Sequence, residues 1–421
     1  MKTVKFKIDG RICSAERGQN LIEAARKNGI FIPTLCYFKH LNPLGSCRVC
    51  TVKSNGKPIA GCTLKVEEGM DIEINSNELL DLRKAILEMM FVEGNHFCSS
   101  CEKSGDCEMQ NLGYEMGIRY TRFPHLFVDR VVDVRPERIV VNQNRCIKCK
   151  RCIEEIKTND GYSVFNLVNK GNDTLVSIDY QQESKLSEQQ AEEAMRICPT
   201  GAILVKGKSF GKPFGDRQFD FSHKNQTISL SHIKKLLRTN QKKKRIATAS
   251  LAGCFGCHMS MLDVDLDIMK LIEFVEFNKS PLTDIKKFDG RCDIGLIEGG
   301  CCNSDNIEVL REFRKHCDVL ISVGECAIWG GVPALRNTLN IEDCLEEAYL
   351  DSVTSEENET LIPHHEDIPK ILDKVYSNHD VVKIDYHIPG CPPSPTHIWN
   401  VVKNILFEEE YSITFPEFKY D

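Results

Sequence analysis

The chain has 421 residues and a formal net charge of −7, with 41 % apolar and 27 % charged residues. This ordinary folded composition excludes disorder and a fibrous repeat, and the acidic balance argues against nucleic acid or an anionic membrane as the main partner. No apolar run reaches the ~18 residues of a membrane span, and at roughly 150 residues per domain the length predicts two to four domains.

At the N-terminus Val4, Phe6 and Ile8 alternate with Thr3, Lys5 and Lys7. That period predicts a strand, not the apolar core of a secretory signal, and no twin-arginine motif is present. The chain is expected in the cytoplasm, where thiols stay reduced, so its 21 cysteines point to metal ligands rather than disulfides.

Their spacing supports this. Cys36, Cys47, Cys50 and Cys62 form a first group, and His96, Cys98, Cys101 and Cys107 a second. Cys146, Cys149 and Cys152 form a third, completed by Cys198 before Pro199. Cys254 and Cys257 open a fourth, with Cys326 and Cys391 available to complete it. Cys13, Cys292, Cys301, Cys302, Cys317 and Cys344 are left over. A two-residue gap lets consecutive thiolates face one centre, and soft thiolates select iron–sulfur clusters, zinc or copper(I). The third group has a [4Fe–4S] pattern. Zinc is the alternative for each group, but several groups in series favour an electron relay.

Residues 1–78 read as a hairpin turning at Asp9-Gly10, a helix over Leu21–Lys27 ending at Asn28-Gly29, and a long cysteine loop with Gly45 before Cys47. Cys13 reads as a small buried hydrophobe. In residues 79–120, Leu79, Leu80, Leu82, Ile86, Leu87 and Met90 fall on a helical stripe expected to pack in the core, ahead of GNHFCSSCEKSGDCEMQ. Residues 121–205 carry RCIKCKRC and, after an intervening loop, Cys198-Pro199. Lys148, Lys150 and Arg151 are expected to form a solvated basic face there, with offsetting the negative charge of a thiolate cluster as a secondary effect. Residues 206–245 read as an exposed polar connector.

From 246 to 421 strands and helices alternate, which predicts a parallel α/β sheet. Strands are expected at Ile246–Leu251, Asp293–Ile297, Asp318–Val323 and Val381–Tyr386. Helices are expected at Ser260–Phe274, Ile307–Lys315, Ile341–Leu350 and Pro395–Leu406. Cys254, Cys326 and Cys391 then follow strand ends at the edge where such sheets bind ligands, with Glu298 beside them. Glu298 is read either as an ordinary strand-end carboxylate at a subunit contact or as a residue with a proton-transfer or interface role.

The first half resembles the N-terminal region of the large iron–sulfur subunit of complex I and of its relatives in hydrogenases and formate dehydrogenases. That resemblance implies a [2Fe–2S] ferredoxin-like domain, a one-His, three-Cys [4Fe–4S] domain with His96 as a ligand, and a [4Fe–4S] ferredoxin-like domain. LAGCFGCHMS, IEGG, VGECA and GCPPSP in the second half resemble the small subunit of [NiFe] hydrogenases. There the resemblance implies a flavodoxin-like domain whose proximal [4Fe–4S] cluster maps to Cys254, Cys257, Cys326 and Cys391. The adjacent pair Cys301-Cys302 follows the second strand, not the first, which favours hydrogenase over complex I. The chain ends soon after Cys391, so the short cytoplasmic type without a further ferredoxin-like domain is expected.

The whole therefore resembles a fusion of the diaphorase-side iron–sulfur subunit and the small subunit of a cytoplasmic NAD-reducing bidirectional [NiFe] hydrogenase. This implies one [2Fe–2S] and three [4Fe–4S] clusters, with the NiFe centre, FMN and NAD(P) on partner subunits. No catalytic acid, base or nucleophile is expected in this chain, and the Gly-rich dinucleotide fingerprint is absent from it. The alternatives are an electron-transfer subunit of a formate dehydrogenase or complex I-like oxidoreductase, and a zinc-stabilised scaffold.

Overall fold

The computed structural model describes residues 2–217, 225–353 and 361–421. The chain divides into two compact units, residues 1–95 with 102–219, and residues 96–101 with 220–421.

The first unit opens with the antiparallel hairpin β1 (Thr3–Ile8) and β2 (Arg11–Glu16), followed by α1 (Leu21–Lys27). Asn20 caps α1 by accepting from the Ile22 N–H, and the helix stops at Asn28-Gly29, as expected. Next come β3 (Thr51–Ser54), β4 (Lys57–Ala60) and β5 (Asp71–Glu73), which complete a five-stranded mixed sheet in the order β2-β1-β5-β3-β4. Val4, Phe6 and Ile8 alternate inward onto Leu21, Ile22 and Ala25 of α1, and Cys13 lies in that core.

Helix α2 (Asn77–Glu93) carries the expected stripe, but only partly in the core. Leu79 and Leu87 are buried, whereas Leu80 and Leu82 are exposed. The buried face is completed by Arg83, Glu88, Phe91 and Val92, so charged residues occupy positions that an apolar count assigns to leucines. After α3 (Glu108–Glu115) come β6 (Val132–Asp133), β7 (Ile139–Asn142) and α4 (Arg151–Glu155). The stretch between Cys152 and Cys198 is a hairpin, β8 (Phe165–Val168) with β9 (Leu175–Ile178), then α5 (Tyr180–Glu183) and α6 (Glu188–Ile197). A capping box at Ser187 starts α6, and Cys198 is its last cap residue. Strand β10 (Ile203–Val205) then pairs with β7.

In the second unit, the expected exposed connector is structured from Gln226 onward. Strand β11 (Gln226–Ile228) and helix α7 (Ser231–Lys234) bury Ile228, Leu230 and Ile233. Thr239 bonds to Asp293, and the Arg238 N–H to Asp318. The polar look of the segment reflects its outward face alone.

The sheet that follows is built from β12 (Lys244–Ser250), which leads through α8 (Gly256–Leu262) and α9 (Asp267–Leu271) to β13 (Val275–Phe277). A single helix over Ser260–Phe274 is therefore not found: the chain breaks between α8 and α9, where Asp265 takes a left-handed conformation at φ 55°. Strand β14 (Cys292–Glu298), the short β15 (Cys301–Asn303), α10 (Ser304–His316), β16 (Cys317–Val323), α11 (Glu325–Trp329) and α12 (Ile341–Tyr349) follow. Next are β17 (Ile371–Tyr376), which pairs with β15, α13 (Asn378–Val381), β18 (Tyr386–Ile388), α14 (Pro395–Phe407) and β19 (Tyr411–Ile413). The strand expected at Val381–Tyr386 is displaced: Val381 ends a helical turn, and only Tyr386–Ile388 pairs with β16.

The main sheet has the order β13-β12-β14-β16-β18, all parallel. Counted within this sheet the order is 2-1-3-4-5, that of flavodoxin-like doubly wound folds. Strands β14 and β16 are buried along their whole length, as helices on both faces require. Strand β19 pairs with β11.

Candidate iron–sulfur sites

The first cysteine group is built from a loop and two turns. Cys36 lies in the loop after α1, Cys47 and Cys50 stand before β3, and Cys62 lies in a 3-10 turn after β4. The Cys36 N–H donates to Cys47 Sγ at 3.4 Å, and the Cys62 N–H to Cys50 Sγ at 3.5 Å. The Cys36 thiol also bonds to the thiols of Cys47 and Cys62, so all four meet. Gly45 adopts φ 62°, and a Cβ there would lie 3.0 Å from Thr63 Cγ2. Beside the group lies Arg83, a fully buried cation, which donates to the carbonyls of Ile74 and Thr51, each at 2.7 Å. Burial lowers its pKa, and the charges of Cys50 and Asp9 oppose that.

The third group converges as well. Cys146, Cys149, Cys152 and Cys198 line one cavity together with Pro199 and Ile203. Lys148 and Lys150 take left-handed conformations, at φ 54° and 65°, which curl the C-x2-C-x2-C loop around that cavity. Burial pushes the Cys146 thiol up to about 11. Four thiols in a mainly apolar cradle, with Lys150 and Thr200 as its other polar residues, fit a [4Fe–4S] group. The solvated basic face expected here is found only in part. Lys148 and Lys150 are half-buried, but Arg151 is 2 % exposed.

The fourth group sits at the C-terminal edge of the parallel sheet, as expected. Cys254 follows β12, Cys257 lies in α8, Cys326 in α11, and Cys391 follows β18. Cys257 lies within electrostatic reach of Cys326 and Cys391, and Cys326 within reach of Cys391 and Cys254. Burial pushes the Cys326 thiol up to about 12. Gly324, at φ 88°, lets β16 turn tightly: a Cβ there would lie 2.3 Å from Cys257 Sγ. A Cβ on Gly331 would lie 2.7 Å from Cys326 Sγ. Cys254 and Cys391 are exposed.

Glu298 is 2 % exposed and therefore not an open contact residue. Its Oε2 accepts from the His258 N–H at 3.1 Å, and Oε1 lies 3.1 Å from His258 Nδ1. Burial acts to raise the Glu298 carboxyl, but bonds from His258 and Ser250 outweigh it and hold the group low. Beyond, His258 Nε2 reaches Thr248 Oγ1 at 2.9 Å, and Thr248 reaches Ser280 at 2.7 Å. Glu325, beside Cys326, is buried, and burial pushes its carboxyl well up.

The second group is divided between the two units: His96, Cys98 and Cys101 belong to the second, Cys107 to the first. Cys98 opens a 3-10 turn, and the Cys101 N–H donates to its carbonyl. Ser99 in that turn lies beside Cys391 and acts to lower its thiol. Cys107 caps α3, its Sγ accepting from the Gln110 N–H at 3.4 Å, and lies 3.5 Å from the Pro199 carbonyl.

Of the spare thiols, Cys292 and Cys317 face each other across β14 and β16. Cys301 Sγ lies 3.9 Å from Asn378 Oδ1, and Cys302 Sγ 3.3 Å from Asn306 Oδ1. Sequence reasoning missed His258 and Arg83, and it allowed Arg151 a charge-offsetting effect on the third group without its burial or its bonds. Only the two arginines leave a trace in the sequence: Arg151 stands inside a ligand motif, and Arg83 lies on the stripe of α2.

Residues 1–77 match the 2Fe-2S iron-sulfur cluster binding domain family, and residues 83–122 the NADH-ubiquinone oxidoreductase-G iron-sulfur binding region. Residues 137–204 match the ferredoxin-like domain of NADH-quinone oxidoreductase subunit 3, and residues 254–405 the 20 Kd subunit of NADH ubiquinone oxidoreductase. Fold and sites thus define a multi-cluster iron–sulfur subunit of an oxidoreductase. The NAD-reducing hydrogenase HoxS subunit gamma of Cupriavidus necator is 42 % identical over 219 residues, which is 52 % of this chain and 94 % of that protein. Subunit delta of the same hydrogenase is 46 % identical over 187 residues, 44 % of this chain and 90 % of that protein. A chain in the crystal structure of NAD+-reducing [NiFe]-hydrogenase in the H2-reduced state is 45 % identical, covering 42 % of this chain and 99 % of that one at a TM-score of 0.41. This chain belongs to the family of NAD-reducing hydrogenase subunits and joins homologues of gamma and delta in one polypeptide. Among the described residues no helix is long and apolar enough to cross a membrane.

Proposed function

We propose that the chain is the electron-relay subunit of a cytoplasmic NAD(P)-linked [NiFe] hydrogenase, working between a NiFe large subunit and a subunit carrying FMN and the NAD(P) site. Four clusters supply one-electron carriage: [2Fe–2S] on Cys36, Cys47, Cys50 and Cys62, and [4Fe–4S] on the second, third and fourth groups, with His96 as the one imidazole ligand. The domain limits that go with this are 1–78, 79–120, 121–205, a connector within 206–245, and 246–421.

The observation that carries the reading is the convergence of the first, third and fourth thiol groups, each within one compact unit. Contacts between motifs support a relay order. Ser99 of the second motif lies beside Cys391 of the fourth, Cys107 of the second lies against Pro199 of the third, and Arg151 of the third bonds to Tyr37 of the first. The chain's own residues hold the ligands, exclude water from the third cavity and set the charge around it. The exposed Cys254 and Cys391 support the fourth group as the face that meets the NiFe subunit.

The test is to expose the purified complex to hydrogen and follow its electron paramagnetic resonance. Signals from one [2Fe–2S] and several [4Fe–4S] centres that grow with NAD reduction support the reading. A complex that reduces NAD with hydrogen while this chain stays silent contradicts it.

A further inference from the structure

We propose that Arg151 is a positioning residue that ties together the ligand-bearing segments of three cluster sites and holds a positive charge against the third. This rests on the relay reading above and deepens it. Arg151 directly precedes Cys152. Its Nη2 donates to the carbonyl of Tyr37, next to Cys36, at 2.9 Å. Its Nη1 and Nη2 grip Glu108, next to Cys107, at 2.6 and 2.8 Å. Nη1 also reaches the carbonyl of Ile197, next to Cys198, at 3.3 Å. One side chain is thus bonded to a neighbour of a ligand in the first, second and third groups, all within the first unit.

The chemistry of the group makes this specific. A planar guanidinium presents a rigid fork of donors, which an ammonium on a flexible stem does not. The Phe38 ring lies 5.3 Å from the guanidinium carbon and fixes its plane. Nε is buried without an acceptor among the described residues, and the charges of Cys149 and Cys198 act on the group. Burying a charge is expensive unless it is paired, and among the described residues Glu108 alone supplies a formal opposite charge by direct bonding. A cation held beside thiolate ligands favours the reduced, more negative cluster, so Arg151 raises the potential of the third site and Glu108 lowers it.

The test uses the assembled hydrogenase with Arg151→Met, Arg151→Lys and Glu108→Gln. Iron content, labile sulfide and the midpoint potentials of the first- and third-site signals are measured in each. The expected result is a fall in the third-site potential in R151M and a rise in E108Q, opposite shifts that mere loosening of the fold would not produce. R151K should keep the potential close to that of the unmodified protein but alter the spin coupling between the first and third sites, because the fork to Tyr37 and Ile197 is lost. If R151M loses its iron, R151K and E108Q decide the matter. Intact signals with unmoved potentials and coupling in the loaded variants would overturn the proposal. Absence of both signals from the unmodified complex would instead overturn the relay reading, and this inference with it.

Discussion

Glu298, the last residue of β14, accepts a hydrogen bond from the backbone N–H of His258, one residue beyond Cys257. The central strand thereby fixes the first turn of α8, on which a proposed ligand rides. Replacing Glu298 by Ala leaves that N–H without its buried acceptor and removes the carboxylate 3.1 Å from His258 Nδ1. The expected cost is about 2–4 kcal/mol of stability in the second unit, with loss of iron from the fourth site. Thermal unfolding and iron analysis of the variant check this. Unchanged melting and iron would show that Glu298 does not hold α8.

Gly324 makes a second prediction. Its left-handed backbone and its approach to Cys257 leave no room for a side chain. Gly324→Ala should therefore lose about four iron atoms per chain, the content of one [4Fe–4S] cluster, while the first- and third-site signals persist. Full iron content in this variant would show that Cys257 is not held as described.

Arg83 is expected to matter to the first site in two ways. Arg83→Met leaves two buried carbonyls unpaired, a destabilisation of about 2 kcal/mol, and removes a positive charge near Cys50. The [2Fe–2S] potential should fall. A redox titration followed by the [2Fe–2S] signal measures the shift, and a rise would contradict a stabilising role for the Arg83 charge.

The spare thiols supply the control. Cys13 lies on β2 in the core of the first sheet, and Cys344 lies on α12. Cys13→Ala should cost about 1 kcal/mol and leave the iron content unchanged, and Cys344→Ala should change neither. Cys198→Ser should strip the third site. Iron lost from either alanine variant would mean that the ligand assignment is wrong.

Much of this architecture is legible in the residues themselves. Alternation at Val4, Phe6 and Ile8 and the Asn28-Gly29 stop define β1 and α1 closely, because local pattern and tertiary packing agree there. Cysteine spacing brings the third group to one cavity, and strand ends bring the fourth group to one edge. What the sequence hides is long-range. Val381 and Val382 look like a strand, yet pairing with β16 begins only at Tyr386, and the chain reaches it through a helical turn. The apolar run after Ser260 looks like one helix, but Asp265 breaks it. The most consequential miss is Arg151. A charged residue between two cysteines reads as surface, and its burial depends on Tyr37, Glu108 and Ile197, each more than forty residues away in sequence.

The four-cluster relay is tested most directly by counting metal. Iron, zinc and acid-labile sulfide should be measured on the complex purified without oxygen. The relay predicts about fourteen iron atoms per copy of this chain beyond those of its partners, with matching sulfide and little zinc. Zinc in place of iron, with little sulfide, would contradict it.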